Sequence, residues 1–453
     1  MLNLNINRRK FVKGISATAG LAAFGGLGMN FTGIDRQWKV GLIGSGWYGK
    51  SDTLRLLQVA PVEVEAVCDV DQNMLNHAGQ LISQRQKSGK VPKLYGDYRK
   101  MLDKHNLDIV IIGSPDHWHA LHMIEAVKSG AHVYVQKPIS ADVVEGEAML
   151  RAARKYNKVV QVGTQRRSTP HLIRAKEEIV DKGLLGKVSH VEVSCYTGGG
   201  GKMPPTEEVP DFFDYEMWTG PAPMLPYRGL PHIRWRAFME YGNGIVGDMG
   251  IHMLDAARWM LGVGAPKKIT SVGGTYVHKE GYGNRPDTQH AIFEFDELNF
   301  VWQQRRWGTP ADPDYWWSFT LYGEKGKLQA GVRKADFTPV EGEPIHYDCV
   351  FEREEYPEDL TEERIELFAA PATRRHMQDF IRAIENGTKP IADIEQGHIS
   401  SASCIMSNLS MQLGGRPLVY DWENRVVKGD KEATELLARS YRSPWNHPTF
   451  DNV

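Results

Sequence analysis

A glycine-rich turn between an apolar strand and a helix is the feature that most limits the folds open to this chain. The segment VGLIGSGWYG (40–49) is apolar up to Ile43 and then places Gly44, Gly46 and Gly49 in a G-x-G-x-x-G pattern. Asp69 follows 20 residues after Gly49, at the end of a second apolar run, VEVEAVCDV (62–70). A strand, this turn, a helix and then an acidic residue at this distance predict a dinucleotide-binding unit.

Each part of the fingerprint has a physical purpose. Glycines permit a tight turn and a close approach of the backbone to a pyrophosphate, which the N-terminus of the following helix receives. Asp69 is expected to accept hydrogen bonds from the adenosine ribose hydroxyls. A 2′-phosphate at this position would meet a carboxylate, and residues 70–72 supply no arginine. The predicted cofactor is therefore NAD rather than NADP.

The first half of the chain continues to alternate between apolar strands and helical stretches. Further strands are predicted at LDIVIIGSP (107–115), HVYVQKPIS (132–140) and VVQVGTQRR (159–167). Strands that alternate with helices of this length indicate a parallel, doubly wound sheet. The predicted fold class is therefore an α/β Rossmann domain in this half.

The second half has a different pattern. Strand-like runs occur at VSHVEVSCY (188–196), KITSVGGTYV (268–277), HAIFEFDELNFVWQQRRW (290–307) and WWSFTLYG (316–323). They predict an α+β domain whose large, mostly antiparallel sheet has one face covered by helices. Two helices are predicted, one starting near Asp248 and one from Arg374 to Asn386. The predicted segments are 1–33 (signal), 34–167 (NAD-binding domain), 168–425 (substrate and oligomerisation domain) and 426–453 (polar C-terminal tail).

The N-terminal segment NRRKFVKG (7–14) predicts export. Arg8, Arg9, Lys10 and Lys13 form a basic region, and no formal charge occurs from Gly14 to Ile34. The stretch after the basic region is only weakly apolar and contains many small residues, which is typical of a twin-arginine signal and not of a membrane span. Retention of the segment as a membrane tether stays an open alternative to its cleavage. That route accepts folded proteins, so the chain is expected in the periplasm or otherwise exported. A cofactor loaded inside the cell would then have to stay bound during export.

Charge and cysteine content exclude several other classes. The chain has 54 basic and 56 acidic residues, so its formal charge of −2 gives no reason to expect nucleic acid as a partner. The four cysteines (Cys68, Cys195, Cys349 and Cys404) have no C-x-x-C or zinc spacing. Cys68, in a strand pattern, is expected to be a buried thiol. No metal is predicted.

Several motifs together resemble one known family. VGLIGSGWYG, GSPDHWHA (113–120), YVQKPIS (134–140) and GDMGIHMLD (247–255) occur in the order and spacing of the Gfo/Idh/MocA oxidoreductases. The resemblance extends from Trp38 to about Trp422. The export signal, GTQRRS (163–168) and ARSYRSPW (438–445) resemble the exported branch of that family. Its members mostly oxidise or reduce a secondary alcohol on a sugar or cyclitol ring with a nicotinamide cofactor.

The resemblance implies catalytic roles for Lys137, Asp248 and His252. Lys137 matches the lysine that sits beside the nicotinamide and stabilises the substrate oxygen. Asp248 and His252 match a D-x-G-x-H pair whose i, i+4 spacing places both on one helical face, with Asp255 a further turn along. An imidazole suits a base that accepts the alcohol proton, and Asp248 would orient the substrate or the imidazole. The residue before the lysine is usually Glu in the family but is Gln136 here, which removes a charge.

Other residues are assigned to the cofactor. His117 and His119 have a spacing that a metal site could use, but the resemblance places them at a helix start that lines the cofactor pocket, which we prefer. Arg166 and Arg167 follow a strand and are predicted either to reach cofactor or substrate or to lie at the surface. The predicted cofactor-binding residues are Gly44, Gly46, Trp47, Tyr48, Gly49, Asp69, Ser114, Pro115, His117, His119, Gln136, Lys137, Gln165 and Arg166.

Three functions are considered. The first is an NAD-dependent dehydrogenase that oxidises a sugar or glycoside, with C3 and a 3-keto product suggested by the resemblance to exported relatives. The second is a glycosidase or lyase that oxidises the ring transiently, eliminates and returns the hydride without net redox change; it needs another base, for which Tyr196 or His290 are candidates. The third is a non-catalytic NAD-dependent binding protein, which the retention of Lys137, Asp248 and His252 argues against. The expected partners are a carbohydrate substrate and other copies of the chain, in a dimer or tetramer.

Overall fold

The computed structural model describes residues 37–362 and 366–453. The predicted signal segment therefore lies outside the described residues. Within the described part, no helix is both long enough and apolar enough to cross a membrane. The four cysteines are free, and Cys68 is buried as expected.

The first half forms a six-stranded parallel sheet of the Rossmann type, in the order β3-β2-β1-β4-β5-β6. The strands are β1 (Trp38–Ile43), β2 (Val62–Cys68), β3 (Lys93–Tyr95), β4 (Ile109–Ile112), β5 (His132–Val135) and β6 (Val160–Val162). The helices between them are α1 (Trp47–Val59), α2 (Gln72–Arg85), α3 (Tyr98–Lys104), α4 (His119–Lys128) and α5 (Val143–Lys155). The predicted α/β class is confirmed. The short strand β3 was not among the predicted segments, because its three residues carry no apolar run.

The second half forms an eight-stranded mixed sheet in the order β14-β13-β12-β11-β7-β10-β9-β8, in which only β7 and β10 pair in parallel. Its strands are β7 (Val188–Tyr196), β8 (Lys268–Gly274), β9 (Thr288–Phe295), β10 (Leu298–Arg305), β11 (Trp317–Gly323), β12 (Gly326–Gly331), β13 (Lys334–Pro339) and β14 (Ile345–Asp348). The helices of this half are α6 (Pro170–Ala175), α7 (Tyr215–Thr219), α8 (Ile251–Leu261), α9 (Ala370–Asn386), α10 (Ile394–Gln412) and α11 (Lys431–Glu435). β15 (Tyr420–Asp421) and β16 (Val426–Val427) pair separately. The predicted mostly antiparallel sheet is confirmed.

Two helices of the second half differ from the prediction. The predicted helix at Arg374 starts four residues earlier, at Ala370, and its Met377, Phe380 and Ile381 join the core on the parallel sheet, not the antiparallel one. Helix α10, with 19 residues the longest helix described, was not predicted at all. Its sequence contains five serines that are fully buried, so apolar periodicity does not mark it.

The segment predicted as a polar tail packs on the first half. The Asp142 carboxylate caps α5 and also accepts hydrogen bonds from the Arg439 backbone at 2.8 Å and from the His447 ring at 2.7 Å. The Tyr441 hydroxyl donates to Glu145 at 2.6 Å. Trp445 lies edge-on to Trp118, with 4.8 Å between the ring centres. The end of the chain thus supports the helical side of the Rossmann sheet. The domain boundaries themselves stay predictions.

Candidate active site

A cavity of about 490 Å³ opens at the carboxyl ends of β1, β2 and β4. Ligands of doubly wound sheets bind at this edge, where the strand order reverses on either side of the first strand. Seven of the predicted cofactor-binding residues line this cavity, namely Gly44, Gly46, Trp47, Tyr48, Asp69, Ser114 and Pro115. The remaining predicted residues do not line it and are located below.

The three glycines of the turn are required for three different reasons. Gly44 has a φ of +84°, and a Cβ there would lie 2.4 Å from the backbone nitrogen of Ser114. A Cβ on Gly49 would lie 1.9 Å from the Gly44 carbonyl oxygen, so this glycine lets the helix pack closely on the turn. A Cβ on Gly46 would meet nothing within 4 Å. The space above Gly46, at the unpaired N–H groups of the start of α1, is therefore a cradle that suits a pyrophosphate.

Asp69 links the turn to the end of β2. One carboxylate oxygen accepts hydrogen bonds from the Ser45 backbone at 2.6 Å and from the Ser45 hydroxyl at 2.9 Å, and the other accepts from the Asp71 backbone at 3.0 Å. Burial raises the pKa of Asp69, although these hydrogen bonds favour its charged form. A carboxylate has about four acceptor sites, so about one site remains for a ribose hydroxyl beside these three donors. Together with the cradle at Gly46, the residues present fit NAD.

Lys137 and Asp248 form the centre of the candidate catalytic cluster. The Lys137 ammonium donates to the Asp248 side chain at 2.8 Å and to the Asp248 carbonyl oxygen at 2.5 Å. The Arg236 guanidinium donates to the same Asp248 oxygen at 3.2 Å. Burial alone would raise the pKa of Asp248, but the two cations hold it below its ordinary value. The cluster therefore carries an ionised carboxylate that fixes an ammonium group.

His252 lies in the first turn of α8 and is 3% exposed. Its Nδ1 has no hydrogen-bond partner among the described residues, and its ring lies 5.5 Å from that of Trp317, edge to face. Burial, together with Lys137 and Arg166, lowers the pKa of His252 well below its ordinary value. The ring is thus neutral and able to accept a proton.

The expected pairing of Asp248 with His252 is not seen. Asp248 lies in a π-helical turn, Val246–Gly250, which precedes the α-helix that carries His252. A π-turn is wound more loosely than an α-turn, so the i, i+4 rule that places two residues one above the other does not apply across it. Asp248 instead contacts Lys137 and Arg236.

The cavity and the catalytic cluster meet at Arg236. Arg236 lines the cavity wall and also contacts Asp248, whereas Lys137, Asp248 and His252 do not line the cavity. Asp116 is a second carboxyl group near Lys137, and burial raises its pKa well above the usual value although Lys137 and Arg236 oppose this. Sequence reasoning missed both residues. Asp116 lies inside the quoted motif GSPDHWHA, while Arg236 lies in a short 3-10 helix, His232–Ala237, whose sequence has no distinguishing pattern.

His117 and His119 do not line the cavity, contrary to the preferred expectation. The His119 ring nitrogens face the carbonyl oxygens of Pro138 at 2.7 Å and Ser114 at 2.8 Å. The His117 nitrogens likewise face two carbonyl oxygens. Burial lowers the pKa of each histidine to about 4. In this turn and helix, Trp118 and His122 line the cavity, in addition to Gly113, Ser114 and Pro115.

The Gln136 side chain does not line the cavity and is instead bound to another side chain. Its amide donates to the Asp52 carboxylate at 2.6 Å, and both groups are buried. Burial raises the pKa of Asp52 to about 7, although Gln136 and Arg55 favour the charged form. A glutamate at position 136 would face this carboxylate directly. The carboxyl group that Gln136 lacks, compared with the usual glutamate of the family, is therefore supplied by Asp52.

The residues after β6 divide into two kinds. Arg167 makes a buried double contact with Asp255, with both distances at 2.7 Å, so these two residues are structural. Arg166 and Gln165 are buried but do not line the cavity. Of the two suggested additional bases, His290 is exposed on β9, and Tyr196 lies at the end of β7 with its hydroxyl directed at Gln303 at 3.5 Å.

Comparison with known proteins gives matches over both halves. Residues 38–164 match an oxidoreductase family described as an NAD-binding Rossmann fold, and residues 171–280 match its C-terminal alpha/beta domain. Myo-inositol 2-dehydrogenase of Thermotoga maritima is 23% identical over 368 residues, which is 80% of this chain and 92% of that protein. Alpha-N-acetylgalactosaminidase of Shewanella oneidensis is 28% identical over 218 residues, 42% of this chain and 46% of that protein. This chain spans about half the length of two of the curated relatives that it matches.

A solved structure has the same fold. Levoglucosan dehydrogenase, in complex with NADH and levoglucosan, has a TM-score of 0.63 and 18% identity, and the match covers 84% of this chain and 99% of that one. The glycine turn, the cavity above it and the two family matches agree. The chain therefore belongs to the Gfo/Idh/MocA oxidoreductase family and carries its NAD-binding Rossmann domain.

Proposed function

We propose that the protein is an NAD-dependent dehydrogenase that oxidises a secondary alcohol on the ring of a sugar or glycoside. The observation that carries this proposal is the partly buried ion pair between Lys137 and Asp248, at 2.8 Å, with the neutral His252 nearby. The names of the relatives, a myo-inositol dehydrogenase and a levoglucosan dehydrogenase, support a ring alcohol as substrate.

The residues of the cluster have separable tasks. The bound nicotinamide supplies a hydride acceptor. His252 accepts the hydroxyl proton, because its buried ring is neutral and has a ring nitrogen, Nδ1, without a hydrogen-bond partner among the described residues. Lys137 donates to the substrate oxygen as negative charge forms there. Asp248 holds the ammonium of Lys137 in place, which limits its reorganisation during the reaction.

The ring position is proposed as C3, with a 3-keto product. This choice is supported by the resemblance to exported sugar-oxidising relatives. Tight retention of NAD, export by the twin-arginine route into the periplasm, and assembly into a dimer or tetramer are further parts of the proposal. Arg8 and Arg9 support the export route. The export route is tested by fractionating cells that produce the full chain and comparing them with cells that produce an Arg8→Lys, Arg9→Lys variant.

A second candidate is a glycosidase or lyase that oxidises the ring only transiently. The match to an alpha-N-acetylgalactosaminidase favours it. Asp116 also favours it, since burial raises the pKa of this carboxyl, which lies near Lys137, well above the ordinary value. A carboxyl with a raised pKa suits a general acid that would protonate the leaving aglycone oxygen, in addition to the base that elimination needs.

Three measurements test these proposals. Mass spectrometry of the denatured, purified protein should release NAD or NADH without added cofactor. Single-turnover reduction of the bound cofactor by methyl glycosides should be about 10²–10⁴ times slower in His252→Ala, with NAD content unchanged. Full activity in both His252→Ala and Lys137→Ala would refute the assignment. Release of the aglycone without net NADH would favour the glycosidase.

A further inference from the structure

Arg166 is a fully buried cation without a hydrogen-bond partner. It follows β6, is 1% exposed, and none of its three guanidinium nitrogens has a partner among the described residues. Burying an uncompensated charge is costly, and native proteins almost always pair such groups. This arginine therefore points to a ligand.

The surroundings of Arg166 hold the guanidinium without neutralising it. Its central carbon lies 5.0 Å from the Trp317 ring centre and 5.6 Å from the Phe368 ring centre. Such cation–π contacts are favourable, but they add no counter-charge. Glu366 interacts electrostatically from further away, and its carboxylate accepts the Tyr48 hydroxyl at 3.2 Å. No carboxylate of the described residues lies within ion-pair distance of Arg166.

Arg166 adjoins the candidate base through a shared neighbour. The Trp317 ring, on which the Arg166 guanidinium packs, also contacts the His252 ring, with 5.5 Å between the ring centres. The Trp317 indole is fixed by a hydrogen bond to the Met249 carbonyl oxygen at 3.0 Å. Nδ1 of His252 and Oε1 of Gln165 are buried without partners as well. Arg166, Gln165 and His252, which carry these unpartnered polar atoms, do not line the cavity above the glycine turn.

The Arg166 guanidinium has no ion-pair or hydrogen-bond partner among the described residues. The Lys137 ammonium and the Arg236 guanidinium, by contrast, share the Asp248 carboxylate. A planar guanidinium matches a carboxylate with two parallel hydrogen bonds, which a neutral hydroxyl cannot offer.

We propose that Arg166 binds a carboxylate of the substrate, so that the preferred substrate is a sugar acid or a glycoside of one rather than a neutral sugar. This inference rests on the proposed function for the location of the reacting alcohol beside His252. It makes Arg166 a determinant of specificity and not a ligand of NAD.

The test compares three probes that differ in one group: methyl β-D-glucuronide, its methyl ester, and methyl β-D-glucoside 6-phosphate. Binding to the NAD-loaded protein is measured by calorimetry, which does not depend on turnover. The acid should bind at least about tenfold more tightly than the ester, as one charge-assisted hydrogen bond allows. Arg166→Gln should remove this difference while ester binding and NAD content stay the same. Arg166→Lys, which keeps the charge but loses the fork, should retain part of it.

Each alternative outcome is decisive. Equal binding of acid and ester by the wild type would overturn the proposal, even if both variants failed to fold. Tighter binding of the phosphate than of the acid would replace the carboxylate by a phosphate. If the acid binds preferentially but neither reduces the bound cofactor nor is cleaved, the proposed reaction fails while the carboxylate site stands.

Discussion

Replacing Asp52 by asparagine should stabilise the protein at neutral pH. Asp52 lies on α1, is 2% exposed, and accepts a hydrogen bond from the Gln136 amide at 2.6 Å. Burial raises its pKa to about 7, against about 3.9 in an unfolded chain. Asparagine has nearly the same shape and keeps an acceptor for Gln136, but it carries no charge that burial penalises.

The magnitude and its pH dependence follow from the pKa. Between about pH 4 and 7 the folded chain binds the proton of Asp52 and the unfolded chain does not, so stability falls as the pH rises through this window. A difference of about 3 pKa units corresponds to about 4 kcal/mol. The advantage of Asp52→Asn should therefore be near zero at pH 4 and reach at most about 4 kcal/mol above pH 7.

Urea denaturation from pH 4 to 8.5, followed by tryptophan fluorescence, measures this difference. Asp255→Asn is the matched control, because burial would raise the pKa of Asp255 but Arg167 holds it below its ordinary value. That variant should be destabilised most at neutral pH and least in acid. An Asp52→Asn profile that runs parallel to the wild type would refute the reasoning.

The same pair explains position 136. Gln136→Glu should place two buried carboxyl groups within hydrogen-bond distance, and this variant should lose stability as the pH rises. Adding Asp52→Asn restores one donor and one acceptor with their positions exchanged. The double variant should therefore recover most of the loss, and additive effects of the two changes would show that the groups are not coupled.

Three further predictions concern the cofactor turn and the end of the chain. Gly46→Ala should leave the melting temperature unchanged and weaken NAD binding by about tenfold or more. Gly49→Ala, whose Cβ would clash with the backbone of the turn, should instead cost about 1–3 kcal/mol of stability. Equal melting temperatures of the two variants would contradict these different roles. Asp69→Ala should weaken NAD binding and relax discrimination against NADP in fluorescence titrations. Ser45→Ala, which removes one donor to the same carboxylate, should keep the discrimination. The same selectivity in both variants would show that Asp69 does not bind the ribose. Burial lowers the pKa of His447, but its hydrogen bond to the Asp142 carboxylate outweighs this and raises the pKa. The stabilisation by this contact is therefore complete below about pH 6.5 and is lost as the pH rises through the pKa of the folded state. His447→Ala should lose more stability at pH 6 than at pH 9, and a loss that does not change with pH would refute the charged contact.

The dinucleotide turn was predictable because all of its determinants are local. Gly44, Gly46 and Gly49 act within one turn, and Asp69 ends the neighbouring strand, so spacing along the chain sets their distances in space. The parallel sheet was predictable for a similar reason, since each buried strand is a short apolar run. The motifs around Lys137 and His252 could be named through the family resemblance, although their partners could not.

The tertiary structure alone decided which groups meet. Asp248 contacts Lys137 across 111 residues and does not contact His252, four residues away, because a π-turn separates the latter two. Arg236 and Asp116 come from segments with no periodic pattern, and only the packing of the two halves brings them to the cluster. Helix α10 was invisible in the sequence because its serines are buried on all sides and leave no polar face to mark a period.

Arg166 and Arg167 show most clearly what the local sequence determines and what only the tertiary structure decides. The two residues are identical and adjacent in sequence, and no pattern distinguishes them. Arg167 points to Asp255 on α8 and pairs with it at 2.7 Å, whereas Arg166 packs on Trp317 and has no ion-pair or hydrogen-bond partner among the described residues. Local sequence determined the cofactor turn because short-range geometry suffices there. Whether a buried charge is paired depends on residues far along the chain, and only the folded structure decides that.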